Sequence, residues 1–143
     1  MEGTDVYEFD TRVGGPTSSD GWNGNWPQLQ VRRYEQPGCA VLAANKFIVA
    51  GGYYVGNSLK STEIIDLETK KIEFGPDMEK PRALFHLLSV AGRIFALGGY
   101  NGNNLADVEE FVEETGTWKP ATSLPGERDE YGGVAVNVDF VCG

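Results

Sequence analysis

Four carboxylates crowd into six positions at Glu109, Glu110, Glu113 and Glu114, and paired carboxylates are one arrangement that performs general acid–base chemistry. On a strand, however, neighbouring side chains point to opposite faces. The run also continues into Thr115-Gly116, a turn, so the expectation is solvated charge. His86 is the one histidine of the chain. There is therefore no His pair for a metal and no spacing of the zinc type, and His86 within the stretch Leu84 to Val90 reads as a satisfied core or channel-lining residue. No Gly-x-Ser-x-Gly elbow accompanies it to suggest a Ser-His-Asp site. Asp20-Gly21-Trp22-Asn23-Gly24-Asn25 opens like a calcium loop but lacks alternating oxygen ligands and a distal Glu, so it reads as a turn. Cys39 and Cys142 each sit in an apolar run and are expected to be buried free thiols of a reducing compartment. No catalytic residue, metal or cofactor is expected.

Charge narrows the partners. With 21 acidic against 12 basic side chains and a formal charge of −9, the chain is poorly suited to a polyanion, which is bound chiefly by Lys and Arg at its phosphates. A basic protein surface is the expected partner, and nucleic acid is not. The start, MEGTDVYEFD, lacks the charged and apolar regions of a secretory signal. No stretch approaches the roughly 18 apolar residues of a membrane span. A soluble, cytoplasmic protein is expected.

The elements that carry these residues repeat. A shift of 46 residues lays Glu63-Ile64-Ile65-Asp66-Leu67-Glu68-Thr69 on Glu109-Glu110-Phe111-Val112-Glu113-Glu114-Thr115. It also lays Ile72 on Trp118, Met78 on Leu124 and Arg82 on Arg128. A further copy begins at Tyr7-Glu8-Phe9-Asp10-Thr11, with Leu29 four residues before Arg33. Within each copy the segments are short, rich in β-branched and aromatic residues, and separated by turn residues, which predicts an all-β fold. One unit reads as four antiparallel strands, Ala40 to Ala43, Phe47 to Ala50, Glu63 to Leu67 and Ile72 to Phe74. The next reads as Leu84 to Val90, Ile94 to Leu97, Val108 to Glu113 and Thr117 to Lys119. Phe47-Ile-Val-Ala50 and Ile94-Phe-Ala-Leu97 each run into a double glycine, Gly51-Gly52 and Gly98-Gly99. Glycine weakens a strand, so a repeated pair marks φ > 0 or an approach too close for a Cβ. A small sheet repeating at this period cannot bury both faces alone and stacks on its neighbours.

The double glycines, the Ile65-Asp66 and Phe9-Asp10 steps, Trp118, and Leu29, Met78 and Leu124 each four residues before an Arg resemble the kelch repeat. The resemblance implies a β-propeller fragment of four-stranded antiparallel blades, about three blades' worth of strands. Its expected parts are the outer strands of one blade with a Gly-rich insertion at 1–37, a blade at 38–81, a blade at 82–127, and the inner strands of a further blade at 128–143. Ile72 departs from the family's Trp and Val112 from its Asp. Closure of the ring needs further blades or a second copy, and the chain is expected to be part of a longer propeller protein.

The resemblance also implies where recognition occurs. Loops after the double glycines and between blades gather on one face, and loops on a rigid scaffold carry function. Those positions hold Tyr53, Tyr54, Asn57, Tyr100, Asn101 and Asn103 in the first loop type, with Arg82, Arg128, Asp129, Glu130 and Tyr131 in the second. Tyrosine and arginine are favoured in binding hot spots. For Arg82 and Arg128 an equal alternative is that each pins its loop. A non-catalytic protein-interaction module is the leading expectation, with the substrate-recognition part of a cullin-type ubiquitin ligase adaptor as its best-populated example. The alternatives are an actin-binding cytoskeletal protein and a propeller scaffold for an enzyme whose active residues lie elsewhere.

Overall fold

The structure, a computed structural model, describes residues 26–127 and two short paired strands, β1 (Glu8–Phe9) and β2 (Trp22–Asn23). The first complete sheet contains β3 (Gly38–Ala43), β4 (Lys46–Ala50), β7 (Thr62–Asp66) and β8 (Lys71–Phe74), antiparallel in that spatial order. A small hairpin, β5 (Tyr53–Tyr54) and β6 (Asn57–Ser58), interrupts it between β4 and β7. The second complete sheet repeats the arrangement with β9 (His86–Val90), β10 (Arg93–Leu97), β11 (Val108–Val112) and β12 (Thr117–Ala121). Among the described residues there is no helix, and so none long and apolar enough to cross a membrane.

Turn chemistry sets the strand ends. Ala91 and Gly92 both have positive φ, 50° and 74°, the geometry that matches a two-residue turn to the twist of its strands. The Asp66 carboxylate accepts the amides of Glu68 (3.0 Å) and Thr69 (2.8 Å), closing the β7–β8 turn. The second sheet starts later than the expected Leu84. That residue is left-handed, φ 54°, with its amide donated to Glu35 O in the preceding linker, so pairing begins at His86.

The two sheets stack face to face, and alternation along the strands decides which residues meet. Ile48 and Ala50 on β4, with Ala40 on β3 and Met78, are buried with Phe85 of the linker and Leu87, Phe111 and Trp118 of the second sheet. The opposite face of the first sheet buries Val49 and Ile65 with Trp26. Ile65 opposite Ile72 and Phe111 opposite Trp118 occupy the same register positions in the two sheets, as the repeat predicts. Val49 and Ala96 likewise correspond, and both are buried. Phe9, the expected equivalent of Ile65 and Phe111, has a side chain outside the described residues. The Phe111 and Trp118 rings lie 5.3 Å apart, and the Trp118 indole donates to Pro76 O at 3.0 Å. Burial of such side chains contributes roughly 1.5–3 kcal/mol each. This is blade-on-blade stacking, and the described residues form the all-β, four-stranded antiparallel units that the repeat predicts.

Cys39 corrects one expectation. It lies between buried Gly38 and Ala40 on β3, so alternation turns its thiol outward, where it is exposed.

Candidate functional site

The double glycines fix the site. Gly51 and Gly52 have φ of 62° and 91°, and Gly98 and Gly99 of 58° and 99°. A Cβ on Gly51 would lie 2.7 Å from the Phe85 ring and collide with the Arg82 carbonyl oxygen. One on Gly99 would lie 2.7 Å from Ala83 O. The linker that joins the two sheets therefore rests directly on glycine backbone, and both pairs are needed on steric and conformational grounds.

Arg82, in that linker, has no exposed surface. Its Nη1 donates to Gly98 O (2.6 Å) and Asp107 O (3.1 Å), and its Nη2 to Glu109 Oε1 (2.7 Å). Glu109 is also buried and accepts the amides of Glu79 (2.7 Å) and Lys80 (3.0 Å). Arg33 makes the same tie one sheet earlier, to Gly51 O (2.9 Å), Ser61 O (2.8 Å) and Glu63, which accepts the amides of Gln30 and Val31. Burial lowers the Arg33 pKa, and the Glu63 carboxylate works against that.

Of the two readings open for Arg82, the contacts described are those of the loop-pinning one, with the side chain buried and hydrogen-bonded to the second sheet. One expectation is corrected: Glu109 and Glu110 are not solvated charge. Glu109 is committed to Arg82, and Glu110, only 7% exposed, binds Arg93 at 2.7 Å and Lys119 at 3.5 Å. Those two cations hold its carboxyl below the ordinary range. Glu113 and Glu114 are exposed, as expected.

The linker also brings two loops together. The Arg82 carbonyl accepts Gly52 N (2.9 Å) while its guanidinium holds Gly98 O. Tyr53 pairs with Tyr34 across an antiparallel bridge, Tyr100 pairs with Ala83 in the same manner, and Ser58 Oγ donates to Tyr100 O at 2.8 Å. The result is a groove of about 250 Å³ walled by Tyr53 and Asn57 on one side and Tyr100 and Asn101 on the other, with Pro81 and Ser58 between them. Four residues expected at the binding face thus converge, although they come from two different sheets. No ionised side chain lines the groove. Asn103 is exposed at the rim, where its carbonyl accepts the Asn101 amide.

Tyr54 does not enter the groove. It turns outward and meets Tyr34 at 6.2 Å between ring centroids, both rings exposed. Beside them Val55 is 74% exposed at the hairpin tip. Sequence reasoning missed Tyr34, Ser58 and Pro81. The available signal for Tyr34 was an aromatic directly after Arg33, where the next copy has Ala83. Arg128, Asp129, Glu130 and Tyr131 lie outside the described residues. Among the described residues no group of three or more His, Cys, Asp and Glu side chains could hold a metal ion.

A family model described as the Kelch motif matches residues 81–125, the stretch that holds the Arg82–Glu109 tie and the second double glycine. The chain belongs to the kelch-repeat family. Among kelch relatives, human Kelch-like protein 33 is 33% identical over 106 residues, covering 71% of this chain. Kelch repeat and BTB domain-containing protein 2 of Cowpox virus (strain GRI-90 / Grishak) is 33% identical over 95 residues, covering 65%. The chain spans only 20% of the human relative and 17% of the viral one. The solved structure of YjhT superposes with a TM-score of 0.71 at 13% identity, over 85% of this chain and 45% of that one. A fungal alcohol oxidase in complex with copper does so at 0.63 and 17% identity, over 78% and 27%. At these identities the structural likenesses show the kelch fold alone.

Proposed function

We propose that this chain is part of a protein-interaction propeller, in which the groove between the two glycine loops holds a segment of a partner protein. The observation that carries the reading is the meeting of Tyr53 and Tyr100 across one groove, each fixed by backbone pairing to a linker that Arg33 or Arg82 holds rigid. Flat aromatic walls flanked by carboxamides suit an apolar or aromatic anchor, with hydrogen bonds to the backbone on either side of it. The groove is uncharged, so basic character in the partner would act around it, through attraction to a chain of net charge −9. Tyr34, Tyr54 and Val55 extend the same surface as an exposed apolar margin.

The more specific reading is the substrate-recognition part of a cullin-type ubiquitin ligase adaptor working in the cytoplasm. It is supported by a relative whose name joins kelch repeats to a BTB domain. The test has two arms. Co-precipitation of the intact parent protein with a cullin tests the adaptor role, and no association would remove it. Alanine at Tyr53 and at Tyr100, measured against a partner purified with that protein, tests the groove. Unchanged affinity in both variants, with the fold intact, would place recognition elsewhere. A copper or zinc version of the alternative, a propeller scaffold of an enzyme, requires stoichiometric metal in the intact protein, which elemental analysis measures.

A further inference from the structure

Asn101, in the wall of the uncharged groove, is followed directly by Gly102. In an asparagine–glycine pair the backbone nitrogen reaches the preceding carboxamide with the least hindrance, because no Cβ stands beside it and the glycine backbone turns freely. Gly102 is exposed with φ 104°, and a Cβ built on it would meet nothing within 4 Å. Among the described residues the Gly102 amide donates no hydrogen bond, and the Asn101 carboxamide makes none. Nucleophile and electrophile are therefore neighbours, and nothing described competes for either.

The other asparagines of the two loops are held. Asn57, on the opposite wall, donates through Nδ2 to Val55 O at 3.1 Å and is followed by Ser58, which pairs with Tyr53 in the β5–β6 hairpin. Asn104 is followed by Leu105, whose amide is committed to Gly99 O at 2.8 Å. The remaining asparagine–glycine step of the chain, Asn23-Gly24, has its glycine outside the described residues.

We propose that Asn101-Gly102 is a site of spontaneous deamidation, which converts the neutral groove into an anionic one. The Gly102 nitrogen gives its proton to solvent and bonds to Asn101 Cγ. The Cγ–Nδ2 bond breaks, and the nitrogen released takes up a proton and leaves as ammonia. Water then opens the cyclic imide at either carbonyl, so that aspartate or isoaspartate stands at position 101 and carries a negative charge. Isoaspartate also routes the main chain through the former side-chain carbon. That lengthens the path between the Asn101 amide and the Asn103 carbonyl, which bond each other at 3.2 Å.

The consequence for recognition rests on the groove being where the partner sits. Asn101 is half-buried in the wall, so an apolar anchor covers it. A carboxylate covered in this way loses water without gaining a partner, since no cationic side chain lines the groove. Deamidation therefore weakens binding.

Peptide mapping of the full chain tests the modification, with one sample aged folded in mildly alkaline oxygen-18 water and another aged in urea. Asn101 should convert in the folded chain within about threefold of its rate in urea, whereas the fold should slow Asn57 at least about tenfold. The product should carry one heavy oxygen and be a mixture of aspartate and isoaspartate, the mark of an imide opened at both carbonyls. A folded-to-urea ratio no higher for Asn101 than for Asn57, or a product that is aspartate alone, would overturn the proposal. Asn101→Asp, measured against a partner purified with the intact protein, should bind about tenfold more weakly. Unchanged affinity in Asn101→Asp where Tyr53→Ala and Tyr100→Ala do weaken binding would overturn the effect on recognition. Unchanged affinity in all three would overturn the groove as the binding site, while the mapping result decides the modification by itself.

Discussion

Arg82 and Glu109 lie 2.7 Å apart with almost no solvent on either side chain, and between them they satisfy two backbone amides, of Glu79 and Lys80, and two backbone carbonyls, of Gly98 and Asp107. Removing one partner strands a buried charge, so Arg82→Met or Glu109→Leu alone should cost about 3–5 kcal/mol of stability. The double variant should cost clearly less than the sum of the two. Urea melts of the four proteins measure this, and simple additivity would mean that the two groups are not coupled.

Gly51 and Gly99 should be intolerant of a single methyl group. Each has φ > 0 and each faces the linker backbone, so Gly51→Ala or Gly99→Ala should destabilise by more than about 1 kcal/mol. Gly56 and Gly102 also have positive φ but have open space where a Cβ would go. Alanine there should lose only the conformational term, and comparison of the four melting temperatures separates sterics from backbone preference.

Val55 offers the opposite sign. It is a β-branched residue at φ 47°, followed by Gly56 at φ 82°, in the two-residue turn of the β5–β6 hairpin. Such turns favour Asn before Gly, and a β-branched residue in that region is strained. Val55→Asn should therefore raise stability by roughly 0.5–1 kcal/mol. A fall in Tm would show that the exposed valine makes a compensating contact.

Acid should weaken the fold through identified carboxylates. The Asp66 carboxyl is held low by the Thr69 amide, Asp107 by Lys80 and Glu110 by Arg93. A depressed folded-state value contributes stability above the ordinary values, 3.8 for Asp and 4.5 for Glu. That contribution is lost as the pH falls below them. Stability should thus be flat near neutrality and decline from about pH 4.5 downward. Arg93→Gln should lower stability near pH 7 and make the acid decline shallower, as melts across pH 3–7 would record.

The architecture was legible because it is periodic. Ile65, Phe111, Val49 and Ala96 could be assigned to equivalent buried positions from the offset alone, and both double glycines announced a close backbone approach. Tyr53 and Tyr100 could be placed after the glycines for the same reason. What periodicity hid was the environment of charge. Glu109 reads as surface beside Glu110, Glu113 and Glu114, and only the arrival of Arg82, 27 residues earlier in the chain, makes it a buried acceptor. Tyr34 was hidden because its contact with Tyr54 is made across the linker and has no counterpart in the next copy.

The tryptophans turn the blade joints into optical reporters. Of three in the chain, Trp26 is buried at one face of the first sheet and Trp118 at the other, the latter hydrogen-bonded through its indole to Pro76 O. Emission from Trp118 reports whether the two complete sheets are seated on each other, and Trp26 reports the preceding joint. Single-tryptophan variants would then follow the opening of each joint separately, without an added label.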